Sequence, residues 1–452
     1  MSANTFLDQL GEGRLERQFA DAKPRYSPAE AIYEANRCLF CQDAPCITAC
    51  PTGIDIPRFI RKIASDNLRG SAKTILEANM MGTSCARVCP VEVLCVGTCV
   101  YNDLNHKPIQ IGRLQRYATE SGLAMELKSG RSLFAKADPI GKKVALIGAG
   151  PASLACAAYL ALEGAEPTIY ERGKLPGGLN TTGVAPYKLD TEGSLDEVAW
   201  LLNLGVNLKT GVTVGEDVTV AQLLNDNDAV FLGIGLGIDR LLGMSSNYPQ
   251  YLRGATDLIE DIKNNNDFAL PADVKTAVVV GGGNTAIDVA RELAGLGVED
   301  VSMIYRRSHR EMSGYKHEMD AARQEGVGLV QCAQPVKVVE EDGRVTGLKV
   351  VSTETQQNTV IACDMIVMAV GQESRVRQLG FEVALNEKGH VAVDPQTYRT
   401  SQDRVWAGGD CINGGKEVVN AAAHGREAAL DMLRSWGASP RNWHYIQTSE
   451  GA

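Results

Sequence analysis

Eight of the chain's twelve cysteines lie between residues 38 and 99. They run Cys38-x2-Cys41-x4-Cys46-x3-Cys50 and Cys85-x3-Cys89-x5-Cys95-x3-Cys99, with a proline directly after Cys50 and after Cys89. A segment so dense in thiols must fold around whatever holds them together. Thiolates are soft ligands, and short spacings with Pro after Cys suit ferredoxin-type iron–sulfur ligation. Two four-iron clusters need eight ligands, which is about what this stretch supplies. A disulfide framework fits poorly, because no signal peptide precedes the cysteines and the chain is long enough to bury a proper core. Structural zinc more often shows two Cys-x2-Cys pairs split by a loop, and only Cys38 and Cys41 have that form.

The 452 residues suggest about three domains. A hydrophobic share of 44% beside 22% charged residues is ordinary for a globular protein. The first twenty residues are polar and charged, and no apolar run is long enough to span a bilayer, so a cytoplasmic protein is expected. A net charge of −10 argues against a nucleic-acid partner held by phosphate contacts.

Residues 1–140 read as helix and loop. Phe59, Ile60, Ile63 and Leu68 recur at helical spacing within 57–70, and 73–78 reads similarly. From Lys142 the pattern becomes βαβ. The apolar run Val144–Ile147 leads into Gly148-Ala-Gly150-Pro-Ala-Ser153 and a helix of small residues, and a second strand ends at Glu171. The plan restarts at Thr276, with Gly281-Gly-Gly283-Asn-Thr-Ala286 after a strand and a further strand over 301–305. A late Gly408-Gly409-Asp410 precedes a helix from about Val418. These boundaries predict an α-helical domain over 1–140, a dinucleotide domain over 141–254 plus 371–452, and a second one over 255–370 inserted in it.

Each glycine motif sits between a strand and a helix, the context in which it is informative. The first glycine permits the tight turn, the second lets backbone approach a pyrophosphate, and the helix N-terminus faces the negative charge. Glu171 stands where a carboxylate accepts hydrogen bonds from a ribose diol. In the second motif the acidic residue is replaced by Arg306-Arg307, and adjacent guanidinium groups suit a 2′-phosphate. NADPH is therefore expected there, with NADH possible. Nested dinucleotide folds with a late Gly-Gly-Asp suggest a flavoprotein reduced by a nicotinamide, with Asp410 toward the FAD. Neither nucleotide domain contains Cys-x2-Cys, so a redox-active disulfide is not expected. Cys156, Cys332, Cys363 and Cys411 are isolated, and the six histidines form no metal or triad pattern.

Along its whole length the chain resembles the electron-input half of dihydropyrimidine dehydrogenase, and in particular the flavin- and iron–sulfur-bearing subunit of the two-subunit bacterial enzyme. The stretches that carry the resemblance are Arg37–Cys46 with Cys50-Pro-Thr52, Ser84–Cys99, Pro108–Gln115 and the nucleotide motifs. The small subunit of glutamate synthase shares the architecture and the first cysteine group. Its second group reads more like Cys-Pro-Ala-Pro-Cys, so Leu94–Cys99 and Gly112–Gln115 favour the pyrimidine enzyme.

The resemblance implies an α/β protein: a helical domain with two [4Fe-4S] clusters, then two nested Rossmann-like domains of the glutathione/thioredoxin reductase type. It implies one cluster on Cys38, Cys41, Cys46 and Cys99, and another on Cys50, Cys89, Cys95 and the side-chain oxygen of Gln115, with Cys85 a non-ligand. Ala149, Gly150, Pro151, Ala152, Ser153, Glu171, Gly178, Leu179, Lys188, Gly409, Asp410, Val418 and Val419 match FAD positions. Lys188 stands where the pyrimidine enzyme often has Arg. Gly283, Asn284, Thr285, Ala286, Arg306, Arg307, Ala369, Val370 and Gly371 match NADPH positions. A further Arg of that phosphate site is Ser313 here, and bacterial relatives that use NADH lack the Arg pair.

The function implied is electron input. Hydride passes from NAD(P)H to FAD, and single electrons leave through the clusters to an FMN- and iron–sulfur-containing barrel subunit that reduces uracil and thymine. A heterotetramer is the implied assembly. Hydride transfer needs positioning rather than a side-chain acid or base, so no catalytic side chain is expected. With some forty residues after Gly-Gly-Asp there is no room for a barrel, so this chain alone is expected not to reduce uracil. The alternatives are the glutamate synthase small subunit, a stand-alone NAD(P)H:ferredoxin-type oxidoreductase, and a scaffold whose zinc-filled cysteine region docks a partner.

Overall fold

The computed structural model describes residues 4–8 and 10–443. Residues 444–452, the end of the expected outer nucleotide domain, lie outside the described residues, as do 1–3 and 9.

Among the described residues the cysteine region is built on five helices of seven residues or more, α1 (Pro28–Asn36), α2 (Ile56–Ala64), α3 (Leu68–Ala78), α4 (Gly82–Val88) and α5 (Ile111–Ser129), with a single turn at Pro45–Thr48. Ile56, Phe59, Ile60 and Ile63 share one buried face of α2. Its start is fixed by Asp55, whose carboxylate accepts from the Arg58 N–H at 3.1 Å. The helical spacing read across 57–70 is broken in the structure. Asp66 takes a left-handed φ of +56°, and Asn67 caps α3 by accepting from Gly70 N–H at 2.9 Å. Asp and Asn tolerate such backbone and compete with the helix for hydrogen bonds.

Two five-stranded parallel sheets follow. β1 (Lys143–Ile147), β2 (Glu166–Glu171), β3 (Asn207–Thr210), β4 (Ala229–Leu232) and the late β13 (Val405–Ala407) form one, in the order β13-β4-β1-β2-β3. Helices α6 (Pro151–Leu162), α7 (Thr191–Asn203) and α11 (Val418–Ser435) accompany it. The second sheet is β5 (Leu252–Gly254), β6 (Thr276–Val280), β7 (Asp300–Tyr305), β8 (Gly328–Gln331) and β12 (Met365–Met368), in the order β5-β12-β6-β7-β8. Its helices are α8 (Ala255–Asn264), α9 (Asn284–Gly295) and α10 (Lys316–Gln324). Strands β1, β4, β6 and β12 are apolar and almost fully buried, as parallel strands covered on both faces must be. An antiparallel three-stranded sheet, β9 (Ala333–Glu341), β10 (Arg344–Ser352) and β11 (Asn358–Ala362), lies between β8 and β12 in the chain. Nothing in the sequence reading anticipated it.

The units meet through buried charge. The Lys263 ammonium of α8 is fully buried and donates to the carbonyls of Asn180, Val184 and Leu189 at 2.8–3.0 Å. Burial pulls its pKa down to about 8. Lys188 bonds Asp288 at 2.7 Å and Glu318 at 2.9 Å, on α9 and α10. The segment before the first cysteine straps both nucleotide units. Leu15 and Phe19 pack on the core of the second unit, while Arg14 donates to Glu192 at 3.0 Å and Glu16 accepts from Thr191 N–H at 2.9 Å.

The cysteine unit is held just as firmly. Glu197 of α7 accepts from the N–H groups of Thr83 at 2.7 Å and Ser84 at 3.2 Å, so it caps α4. Arg426 of α11 is buried and donates to the carbonyls of Thr52, at 2.8 Å, and Ala78. Among the described residues, no helix is long and apolar enough to cross a membrane.

Candidate functional site

Both glycine fingerprints open into one cavity of about 1710 Å³. At the first, Gly148 has φ +87°, and a Cβ there would stand 2.7 Å from the Gly233 carbonyl oxygen. At the second, Gly281 has φ +155°, and its Cβ would stand 2.3 Å from the Ala369 carbonyl oxygen. Only glycine fits either turn. The middle glycines differ. A Cβ on Gly150 or Gly283 would meet no protein atom closer than 3.9 or 3.5 Å and would fill space facing the cavity instead. Gly150 caps α6 and Gly283 caps α9, neither with a side-chain cap. The first N–H groups of both helices are thus free to take an anion. This cradle fits the pyrophosphates of two dinucleotides.

The remaining nucleotide residues fall into two layers. Pro151, Ala152, Glu171, Gly178, Leu179, Lys188, Gly409, Asp410 and Val418 line the cavity at the first unit, and Asn284, Thr285, Arg306, Arg307, Ala369, Val370 and Gly371 line it at the second. Ala149, Ser153, Ala286 and Val419 do not line it. They are buried behind the turns, where small side chains let helix and strand approach. Glu171 is already engaged, accepting from Ala149 N–H and Gly173 N–H at 2.7 Å each. Its carboxylate keeps lone pairs for a further donor. The Lys188 ammonium is turned onto Asp288 and Glu318. Arg307 is half-exposed, 4.0 Å from Glu311 and over the Tyr305 ring. Ser313 lies across from Gly283, its Oγ 3.5 Å from where that residue's Cβ would be.

Gly409 takes φ +78°, and its N–H donates to Nδ1 of His424 at 3.2 Å. Burial pulls the His424 pKa down from 6.5 to about 4, so the ring is neutral and can accept that bond. Asp410 has its pKa raised by burial, with Glu417 adding to the effect. Sequence reasoning missed His424, Tyr315 and Glu417. Tyr315 also lines the cavity, and its hydroxyl donates to Glu417 Oε1 at 2.6 Å.

The cysteines gather into two groups. Cys46 has Cys38, Cys99 and Cys41 as electrostatic neighbours, and burial with their repulsion pushes its thiol up to about 12. Cys95 is raised by burial, then by Cys50 and Cys46, and Cys89 is raised by Cys85, burial, Cys50 and Cys95. Such thiols become ligands only when a cation offsets the lost proton, which the iron of a cluster does. Among the described residues no three His, Cys, Asp or Glu side chains close tightly enough to hold a single metal ion. The donor set is two groups of soft thiols, and it fits iron–sulfur clusters. Gln115 of α5 is buried, and its Nε2 donates to the Gly82 carbonyl at 2.7 Å, which leaves Oε1 as the acceptor end of the amide. Cys85 lies one helical turn from Cys89, thiol against thiol. None of the twelve cysteines is in a disulfide, and the other four lie apart from these groups. Cys156, Cys363 and Cys411 are buried, and Cys332 bonds Glu354 at 3.2 Å.

Residues 15–127 match a family model described as dihydropyrimidine dehydrogenase domain II, 4Fe-4S cluster, and residues 142–425 match pyridine nucleotide-disulphide oxidoreductase. The chain is 35% identical over 411 residues to the NAD-dependent dihydropyrimidine dehydrogenase subunit PreT of Escherichia coli O157:H7, covering 90% of this chain and 94% of that one. It is 33% identical over 450 residues to the glutamate synthase [NADPH] small chain of Halomonas elongata, covering 92% and 93%. Thioredoxin reductase of T. acidophilum superposes with a TM-score of 0.53 at 22% identity, covering 66% of this chain and 100% of that one, a likeness of fold.

The burial of the His424 ring carries a pH dependence. Below 6.5 an unfolded chain protonates this ring, while the folded protein resists until about 4. Stability is therefore full above 6.5 and falls by about 3 kcal/mol as pH drops to 4. Denaturant midpoints measured from pH 7 to 4 are expected to fall less steeply in His424→Gln, and an identical pH slope would remove the ring from this account.

Proposed function

The chain belongs to the pyridine nucleotide-disulphide oxidoreductase family, in the branch that carries a 4Fe-4S domain, and from that premise we propose that it is the electron-input subunit of a dihydropyrimidine dehydrogenase. When bound, a nicotinamide supplies a hydride, FAD accepts the pair, and two [4Fe-4S] clusters carry electrons away singly. The observation that carries this reading is the single cavity into which both uncapped helix N-termini open, with Val88 and Pro90 beside Cys89 in its wall.

The chain's own residues do the positioning. The N–H groups at the start of α6 hold one pyrophosphate, and Glu171 receives the adjoining ribose. The start of α9 holds the other pyrophosphate, and Arg306 with Arg307 takes a 2′-phosphate. Val88 and Pro90 close the cavity toward the cysteines and exclude water there. Cys38, Cys41, Cys46 and Cys99 hold one cluster. Cys50, Cys89, Cys95 and Gln115 Oε1 hold the other, where a neutral amide in place of a thiolate shifts the cluster's charge and so its potential. The domains follow this division: 1–140 for the clusters, 141–254 with 371–452 for FAD, and 255–370 for the nicotinamide nucleotide.

The partner in this reading is an FMN- and iron–sulfur-containing barrel subunit that reduces uracil and thymine in the cytoplasm, in a heterotetramer. The test uses the anaerobically purified chain. It is expected to be brown, to oxidise NAD(P)H with an artificial acceptor, and to leave uracil untouched until an FMN-bearing partner is added. Colourless protein without iron, sulfide or flavin would end this reading. The second reading, the glutamate synthase small chain, is favoured by the similarity to the Halomonas elongata protein. Electron delivery to a glutaminase-bearing partner rather than a barrel would select it.

Two substitutions sharpen the assignment. Gln115→Ala is expected to alter the spectrum of one cluster and slow electron exit while FAD is still reduced, and unchanged cluster spectra would take Gln115 off the ligand set. Arg306→Ala with Arg307→Ala is expected to raise KM for NADPH at least tenfold more than KM for NADH, about 1.4 kcal/mol of lost phosphate binding. An equal rise for both would show that the pair does not read the 2′-phosphate.

A further inference from the structure

Tyr315 stands at the seam of all three units. It caps α10 of the second nucleotide unit, and its N–H donates to Asn284 Oδ1 of the second fingerprint at 2.9 Å. Its ring stacks on His317, with centroids 5.8 Å apart and planes at 9°. His317 in turn faces Glu92 of the cysteine unit at 3.5 Å. The phenol donates across the seam to Glu417 Oε1 at 2.6 Å. Cys89 is among the groups that act on the phenol electrostatically, so the second cysteine group is close by.

Glu417 occupies a particular place. It is the N-cap of the 18-residue α11, and its carboxylate accepts from the Asn420 N–H there. A helix N-terminus carries roughly half a positive charge. A full carboxylate placed on it outweighs that charge and turns the helix end negative. Glu417, Val418 and Asp410 line the same cavity, with Gly409 packed against Ala152 of α6 and Tyr315 joining Glu417 to the second nucleotide unit. In the functional reading above, hydride crosses from the second unit to FAD on the first, so the flavin half lies where the two units face each other, at the seam that Tyr315 and Glu417 bridge.

We propose that Tyr315 and Glu417 form a positioning pair that sets the field at the flavin end of the cavity, the phenol tempering a carboxylate fixed at the N-terminus of α11. The inference rests on the functional reading above. A reduced flavin is more negative than an oxidised one, so negative charge beside it opposes reduction. The hydrogen bond from Tyr315 spreads the carboxylate's charge and weakens that opposition. Removing the hydroxyl strengthens the field, and removing the carboxylate's charge abolishes it.

The test is the flavin midpoint potential, read by anaerobic spectroelectrochemistry on the full chain, with flavin content measured on the same samples. Tyr315→Phe is expected to shift the potential downward. Glu417→Gln is expected to shift it upward by about tenfold in the two-electron equilibrium, ~30 mV. In the double variant Tyr315→Phe adds nothing further, because the hydroxyl acts only through the carboxylate. Flavin-loaded variants with the wild-type potential, or additive shifts, would overturn the pair while leaving the functional reading intact. A wild-type chain that binds no flavin overturns both. Should Glu417→Gln fail to fold, a Tyr315→Phe potential equal to or above wild type is sufficient to reject the proposal.

Discussion

Taking an ammonium out of water costs several kcal/mol, and the cost is offset only where acceptors stand in fixed positions around it. Lys263 meets that condition with three backbone carbonyls contributed by a different unit from its own. A small rotation of α8 would strip the ammonium of partners, so the second nucleotide unit is locked against the first. The strap from Arg14 to Phe19 and the ion pairs of Lys188 with Asp288 and Glu318 act in the same direction. The shared cavity is a product of this lock. Two dinucleotide turns built as separate lobes face one space because buried charge forbids them to face elsewhere.

The cysteine region depends on the same principle at smaller scale. Thiolates crowded together would repel one another and neutral thiols attract only weakly, so nothing in their own chemistry gathers them. The helices that carry them are fixed from outside, with α4 capped by Glu197 of α7 and the 52 and 78 carbonyls gripped by Arg426 of α11. Gln115 is aimed in the same manner, by the Gly82 carbonyl that takes its amide nitrogen.

Local features were legible in the sequence, and contacts between distant segments were not. The two fingerprints could be read because a tight turn between an apolar strand and a helix is written in adjacent residues, and the strands around Gly148 and Gly281 lie where that pattern puts them. The break at Asp66 was hidden by apolar residues that keep helical spacing on both sides of it. The antiparallel strands over 333–362 alternate weakly, but Asp342-Gly343 between the first two, both at positive φ, is a legible hairpin signal that sequence reasoning passed over. Glu171 was found as a carboxylate at a strand end, yet its bonds to Ala149 and Gly173 depend on how the chain curls back. Gln115 came to notice only through family resemblance, since spacing alone favours Cys85. Tyr315 and Glu417 are 102 positions apart, and only the folded seam joins them.

Helix α11 ties two of these themes together. Its first turn lines the cavity, and Arg426, about 12 Å along its axis at 1.5 Å per residue, anchors the backbone beside Cys50. One helix therefore touches both the cavity and the backbone after Cys50, while Cys89 sits between two residues of the cavity wall itself. A kink in that helix would shift the cavity's rim and the backbone after Cys50 together, so neither place can be reshaped through α11 without the other.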